Sequence, residues 1–136
     1  MKRLTILFLS LFLTLVLTPS TSASQNQGNI QIPNNTYYLI AADGTFLGTL
    51  EGKYDTNSIY NQYGDYGSKY STTSIWNQYG NYGGLYSQYS PFNQYTNTPP
   101  ILVINGEGVG YFSVNRYLQV VYNPYTLERS VYPIKY

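Results

Sequence analysis

Residues 53–68 read KYDTNSIYNQYGDYGS, residues 69–84 read KYSTTSIWNQYGNYGG, and residues 85–100 read LYSQYSPFNQYTNTPP. The first two blocks agree at 11 of 16 positions, and the third keeps the Tyr, Ser, aromatic and Asn-Gln-Tyr positions. The shared unit is Tyr-x-x-x-Ser-Ile-aromatic-Asn-Gln-Tyr-Gly-x-Tyr-Gly. A worn fourth copy is legible in RYLQVVYNPY, residues 116–125, if one residue is deleted before Val121. Such a period is the first thing to seek in a sequence, because missing it misassigns the whole fold.

Within the unit, Ser58, Ser74 and Ser90 each precede an apolar-aromatic pair, and Gly64 and Gly80 follow six residues after the first two serines. Serine at an N-cap and glycine just past the last turn are helix-boundary signals. Only one to one-and-a-half turns fit between them, too few to persist alone. Pro91 falls at the first helical position of the third copy, where proline is accepted. Gly64-Asp65-Tyr66-Gly67 and Gly80-Asn81-Tyr82-Gly83 read as turns. The expectation is a string of short helical turns joined by Gly- and Tyr-rich loops, with Ile59, Tyr60, Ile75, Trp76 and Phe92 at its core.

Strand signals flank the array. TYYLIAA (36–42), Asp43-Gly44 and TFLGTL (45–50) read as a hairpin with a two-residue turn. ILVI (101–104), Asn105-Gly106-Glu107-Gly108 and VGYFSV (109–114) read as a second. The expected fold class is α+β and β-rich: two antiparallel β-hairpins, residues 36–50 and 101–114, frame the short helical turns and Tyr-rich loops. Residues 36–136 then form a single small domain, with a degenerate repeat and tail at 115–136 in which Ser130–Tyr136 supplies an edge strand. Four antiparallel strands with one face covered by aromatic turns give a workable core.

The N-terminal segment has a different logic. Met1-Lys2-Arg3 is followed by an apolar run from Leu4 to Leu17, then Pro19 and the small residues 20–24. This is the pattern of a secretory signal peptide over residues 1–24, and the run is too short for a membrane helix. Residues 25–35 (QNQGNIQIPNN) read as a flexible leader. Asn34-Asn35-Thr36 fits a glycosylation sequon but reads as loop in a bacterial protein. Cleavage removes Lys2 and Arg3, leaving five basic residues against six acidic ones, a net charge of about −1 rather than +1. No basic patch for nucleic acid and no polybasic stretch for a membrane surface remains.

The pattern of Lys-Tyr, Ser-Ile-aromatic-Asn-Gln-Tyr-Gly, Gly-Ser-Lys-Tyr-Ser and Pro-Pro between two strand pairs resembles a domain of small exported bacterial proteins. It also resembles segments attached to larger exported bacterial proteins. The resemblance covers Tyr37 to Tyr125. It implies an exported, bacterial protein, and it carries no activity, cofactor or site.

Composition sets the chemistry. The chain contains neither Cys nor His, so it lacks thiolate ligands and nucleophiles, disulfides, and the usual general base and zinc ligand. Among the carboxylates, Asp43 is explained by its turn, Asp55 is replaced by Ser71 and Ser87, and Asp65 by Asn81 and Asn97. Residues that interchange with Ser and Asn are cap and turn residues rather than a catalytic pair. Asp55-Thr56-Asn57 and Asn105-Gly106-Glu107 lack the ligand density of a calcium loop. The sequence therefore leads to no enzyme, no cofactor and no metal.

What remains is aromatic. Residues 53–100 hold ten of the 18 tyrosines, with Trp76 and Phe92, and no charged residue occurs from Tyr70 to Gly106. Tyrosine serves as amphipathic filler, as a stacking surface, or as a self-associating element. The leading expectation is a secreted or cell-surface binding module whose repeat aromatics contact a glycan or cell-wall polymer, with avidity from repetition. The candidate contacts are Tyr63, Tyr79 and Tyr95 with Asn61, Asn77 and Asn93, chosen because they recur at fixed spacing, together with Trp76. The alternative is a self-associating structural protein of an extracellular matrix or biofilm. A small secreted hydrolase stands last.

Overall fold

Short runs of β-branched and aromatic residues build the sheet, as their fit to a pleated, half-buried surface requires. β1 (Tyr37–Ile40) lies between β2 (Phe46–Thr49) and β3 (Ile101–Ile104), antiparallel to both. β3 pairs antiparallel with β4 (Glu107–Phe112), and β5 (Val121–Tyr122) joins β4 in parallel. The result is one five-stranded mixed sheet, ordered β2-β1-β3-β4-β5. The computed structural model describes Ile32 and residues 35–131, with side chains through Leu127. The expected signal segment, all of the leader but Ile32 and Asn35, Asn34 of the sequon and residues 132–136 lie outside the described residues.

The β-rich expectation is met in a small domain with almost no helix. Its strands do not form two separate frames, because β1 and β3 pair along their full length, from Tyr37 opposite Ile104 to Ile40 opposite Ile101. The array between them is thus a long insertion into one continuous sheet. The β3–β4 connection is the two-residue Asn105-Gly106, with φ of 53° and 80°. Those positive angles are what a type I′ hairpin turn demands, and strand pairing resumes at Glu107 rather than Val109. The β1–β2 connection differs from the expected two-residue turn. Only Gly44 has a positive φ; the Gly44 N–H donates to the Ala41 carbonyl and the Ala41 N–H to the Thr45 carbonyl, each at 2.9 Å. Residues 42–44 therefore form a three-residue loop, and the pairing register slips between Leu39 and Ile40.

The largest departure is in the repeats, which contain no helix. Backbone N–H groups of Ser58, Asn61 and Gly64 each donate to the carbonyl three residues back, as do those of Ser74, Asn77 and Gly80 and of Ser90, Asn93 and Thr96. These turns follow one another at every third residue instead of overlapping as in a helix. The cause is the residue that opens each turn. Ser58, Asn61, Ser74, Asn77, Ser90 and Asn93 each accept, on a side-chain oxygen, the N–H two residues ahead at 3.0–3.1 Å. Such local side-chain bonds compete with helix propagation, and here a new one intervenes before a helix can extend. No residue of the array has a positive φ, so the turns are of a kind that needs no left-handed residue.

The finer sequence period is thus a triplet, a small polar residue or glycine followed by two others, the second usually aromatic. Four steps of three and one of four make the 16-residue unit. The four-residue step runs from Gly64 to Ser68 and from Gly80 to Gly84, whose N–H groups reach back four residues at 3.0 Å. Gly67 and Gly83 occupy it for lack of space: a Cβ there would run into the Asn61 and Asn77 carbonyl oxygens respectively.

One triplet per unit faces inward. Ser58-Ile59, Ser74-Ile75 and Ser90-Pro91 are all buried. They close over Leu39, Leu47, Leu50, Leu102 and Phe112 of the sheet region, with Leu127 added by α1 (Pro124–Val131). Burying each isoleucine contributes roughly 1.5–3 kcal/mol. Tyr60, Trp76 and Phe92, expected in the core, are only partly buried and pack against it. The array is bonded to the sheet at both ends. Thr49 donates to Asn57 and accepts from Ile59 at 2.8 and 2.9 Å, while Val114 and Phe112 donate to Pro91 and Pro100 at 2.8 Å. Gly48, at φ 110°, permits this docking, since a Cβ would come within 2.6 Å of Tyr66 Cβ.

The same turn device recurs at the worn fourth copy, at Asn115 just before it and at Asn123 within it. Asn115 accepts from the Tyr117 N–H and Asn123 from the Tyr125 N–H. Asn123 then caps α1, with Pro124 at its first position. Residues 130 and 131 are helical, which corrects the expected edge strand from Ser130.

Candidate functional site

The inward triplet turns its two neighbours outward, and this decides which side chains meet solvent. Tyr63, Tyr79 and Tyr95 follow the Asn-Gln pair and are 90, 91 and 74 % exposed. Tyr54, Tyr70 and Tyr86, which open the three units, are also exposed. Exposed large apolar surface is the informative observation on a small protein, and here it recurs in sequence with the repeat.

The asparagines have another role. Asn61 Oδ1 accepts from the Tyr63 N–H at 3.1 Å while its Nδ2 donates to the Asp55 carbonyl at 3.0 Å. Asn77 makes the same pair of bonds to Tyr79 and Ser71, and Asn93 to Tyr95 and Ser87. Asn93 is buried, and Asn61 and Asn77 are half-buried. Both ends of each amide are committed to the backbone, so the three asparagines hold the exposed tyrosines in place. The amides left facing solvent beside them are Gln62, Gln78 and Gln94, which the sequence reading passed over although they recur at the same spacing.

Trp76 stands between the two roles. Its Nε1–H donates to the Ile59 carbonyl of the preceding unit at 2.6 Å, and its ring lies 5.5 Å from that of Phe92 in the next. Phe92 in turn meets Tyr125 at 5.5 Å. Equivalent positions of successive units thus lie side by side.

Between the exposed rings run grooves. One of about 690 Å³ is lined by Lys53, Tyr54, Tyr60, Asn61, Gln62 and Tyr63. One of about 580 Å³ is lined by the residues 16 further on, Lys69, Tyr70, Trp76, Asn77, Gln78 and Tyr79. A third of about 630 Å³ connects them, sharing Gln62 and Tyr63 with the first and Lys69 and Tyr70 with the second. Together they make a furrow from Lys53 to Tyr79, walled by tyrosine and lined by amides. Lys53 Nζ and Lys69 Nζ sit 5.1 Å from the ring centres of Tyr54 and Tyr70, within cation–π range.

The other repeated tyrosine faces the sheet. Tyr66 packs edge-on against Phe46 at 5.0 Å. Its counterpart Tyr82 donates to Asp43 Oδ2 at 2.8 Å and shares a 2.9 Å bond with Thr45 Oγ1. Partial burial opposes ionisation of Asp43, but the bonds from the Thr45 N–H and the Tyr82 hydroxyl outweigh it and hold the carboxyl below its ordinary value. Burial, with Asp43 alongside, raises the Tyr82 phenol above its own.

Among the described residues, no three Asp or Glu side chains gather as a metal would require, and no helix is long and apolar enough to cross a membrane. Compared with protein-family models, curated proteins and solved structures, the chain shows no significant match.

Proposed function

We propose that the protein is a non-catalytic, exported binding module that holds a glycan or cell-wall polymer along its repeat face. The observation that carries this reading is the furrow, whose exposed tyrosines and solvent-facing amides repeat every 16 residues. Aromatic rings supply flat apolar area at low entropic cost, and adjacent amides hydrogen-bond hydroxyls. Successive equivalent sites turn weak contacts into avidity on a polymer. The two strand pairs act as hairpins that clamp the array at its ends. Isothermal titration with soluble wall-derived and extracellular polysaccharides tests the proposal. Tyr63→Ala and Tyr79→Ala, both in the furrow, each weaken binding while circular dichroism is unchanged; unaltered binding in both contradicts it.

The same exposed tyrosines on a nearly neutral surface favour a second reading, a self-associating matrix component. Sedimentation velocity separates the two. Concentration-dependent assembly without polysaccharide, lost in the same variants, supports the matrix reading.

A further inference from the structure

We propose that the furrow selects acidic sugar polymers, with Lys53 and Lys69 each receiving a carboxylate of the chain. This rests on the glycan reading and narrows it to a substrate class. Among the described residues, the only charged side chains lining the three connected grooves are Lys53 and Lys69. They occupy the same position of consecutive units. Each ammonium is held beside the ring of the next residue, so its stem covers aromatic surface while the charge stays at the wall of the furrow.

The ligand must therefore offer three things in regular order. Flat apolar faces meet the tyrosines, hydroxyls meet Gln62 and Gln78, and an anionic group recurs for the lysines. A linear polymer of hexuronic acid residues has all three. A polyol phosphate has the charge but lacks the flat ring face, and a neutral glycan has the face but lacks the charge. The third unit carries Leu85 where the lysines stand, so the charge selection belongs to the first two units.

Affinity electrophoresis of the folded protein in gels containing polygalacturonate, amylose or poly(glycerol phosphate) tests the proposal. Polygalacturonate retards the protein most, and retardation falls as salt rises, since exposed charges are screened beyond about 8 Å at physiological ionic strength. Lys53→Gln with Lys69→Gln weakens polygalacturonate binding about fivefold, in line with two exposed ion pairs. Leu85→Lys strengthens polygalacturonate binding, an outcome that loss of folding cannot mimic. Equal, salt-independent binding of polygalacturonate and amylose overturns the charge selection and leaves the glycan reading standing. Preference for poly(glycerol phosphate) overturns the requirement for sugar rings. Failure to bind any of the three overturns both the inference and the glycan reading beneath it.

Discussion

Asn77 and Tyr79 are two residues apart, equally regular in the repeat, and opposite in physical role. The asparagine amide bonds the chain ahead of it and behind it, whereas the tyrosine ring is 91 % exposed. Asn77→Ala removes both bonds and takes from the Tyr79 N–H its side-chain acceptor, while the Ser71 carbonyl keeps the Ser74 N–H, a loss of about 2 kcal/mol in denaturant unfolding. Tyr79→Ala changes stability by no more than about 0.5 kcal/mol, so the pair separates scaffold from contact in one experiment. Thr49 offers a converse case. Its hydroxyl is buried and has no hydrogen-bond partner among the described residues. Thr49→Val keeps the shape and a strand-favouring side chain, and raises the unfolding free energy by about 1 kcal/mol. A lower stability in the variant means that the hydroxyl is satisfied after all. At this scale the sequence was half legible. Spacing marks Asn and Tyr alike, and only the direction of each side chain, set by the turn that the asparagine itself makes, tells them apart.

The element that organises the molecule is the triplet turn, and its tightest points are Gly67 and Gly83. A Cβ at Gly83 is directed at the carbonyl oxygens of Ile75 and Asn77, which are backbone and do not yield. Gly83→Ala lowers stability by roughly 3 kcal/mol or more, read as a drop in thermal midpoint. A near-neutral result contradicts the packing described. The Asp43–Thr45–Tyr82 clasp joins the β1–β2 loop to the second unit and carries a pH signature. Asp43 is held below its ordinary 3.8 in the folded state, so its contribution is present above that pH and lost as pH falls through the folded value. Tyr82 is raised above its ordinary 10.0, so its contribution is present below pH 10 and lost as pH rises through the folded value. The clasp is therefore complete from about pH 4 to pH 10. Asp43→Asn removes this part of the acid limb in a stability profile; an unchanged acid limb means the clasp holds nothing.

Across the whole molecule, legibility followed the range of the interaction. The β-rich segments and a turn opening at Asn105 were readable because local backbone preference fixes them, although the turn spans two residues rather than the four expected. The helical reading of Ser58 to Gly64 failed because an N-cap serine and the opening serine of a turn make the same first bond. What decides between them is Asn61, three residues on, which starts another turn. The β1–β3 pairing joins residues about sixty apart in sequence, a contact that no local pattern announces. The signal for the triplet was present in the alternation of Ser, Asn and Gly at every third position, hidden by the four-residue step that makes the period 16. We propose that this scaffold presents its exposed tyrosines to a polymer. Its most direct test is co-sedimentation of the folded protein with purified bacterial cell walls and insoluble exopolysaccharide. The wild type is predicted to pellet with one of them, and Tyr63→Ala/Tyr79→Ala/Tyr95→Ala, with an unchanged circular dichroism spectrum, to stay in the supernatant. Equal pelleting of the triple variant, or a wild type that remains soluble with both, contradicts the claim.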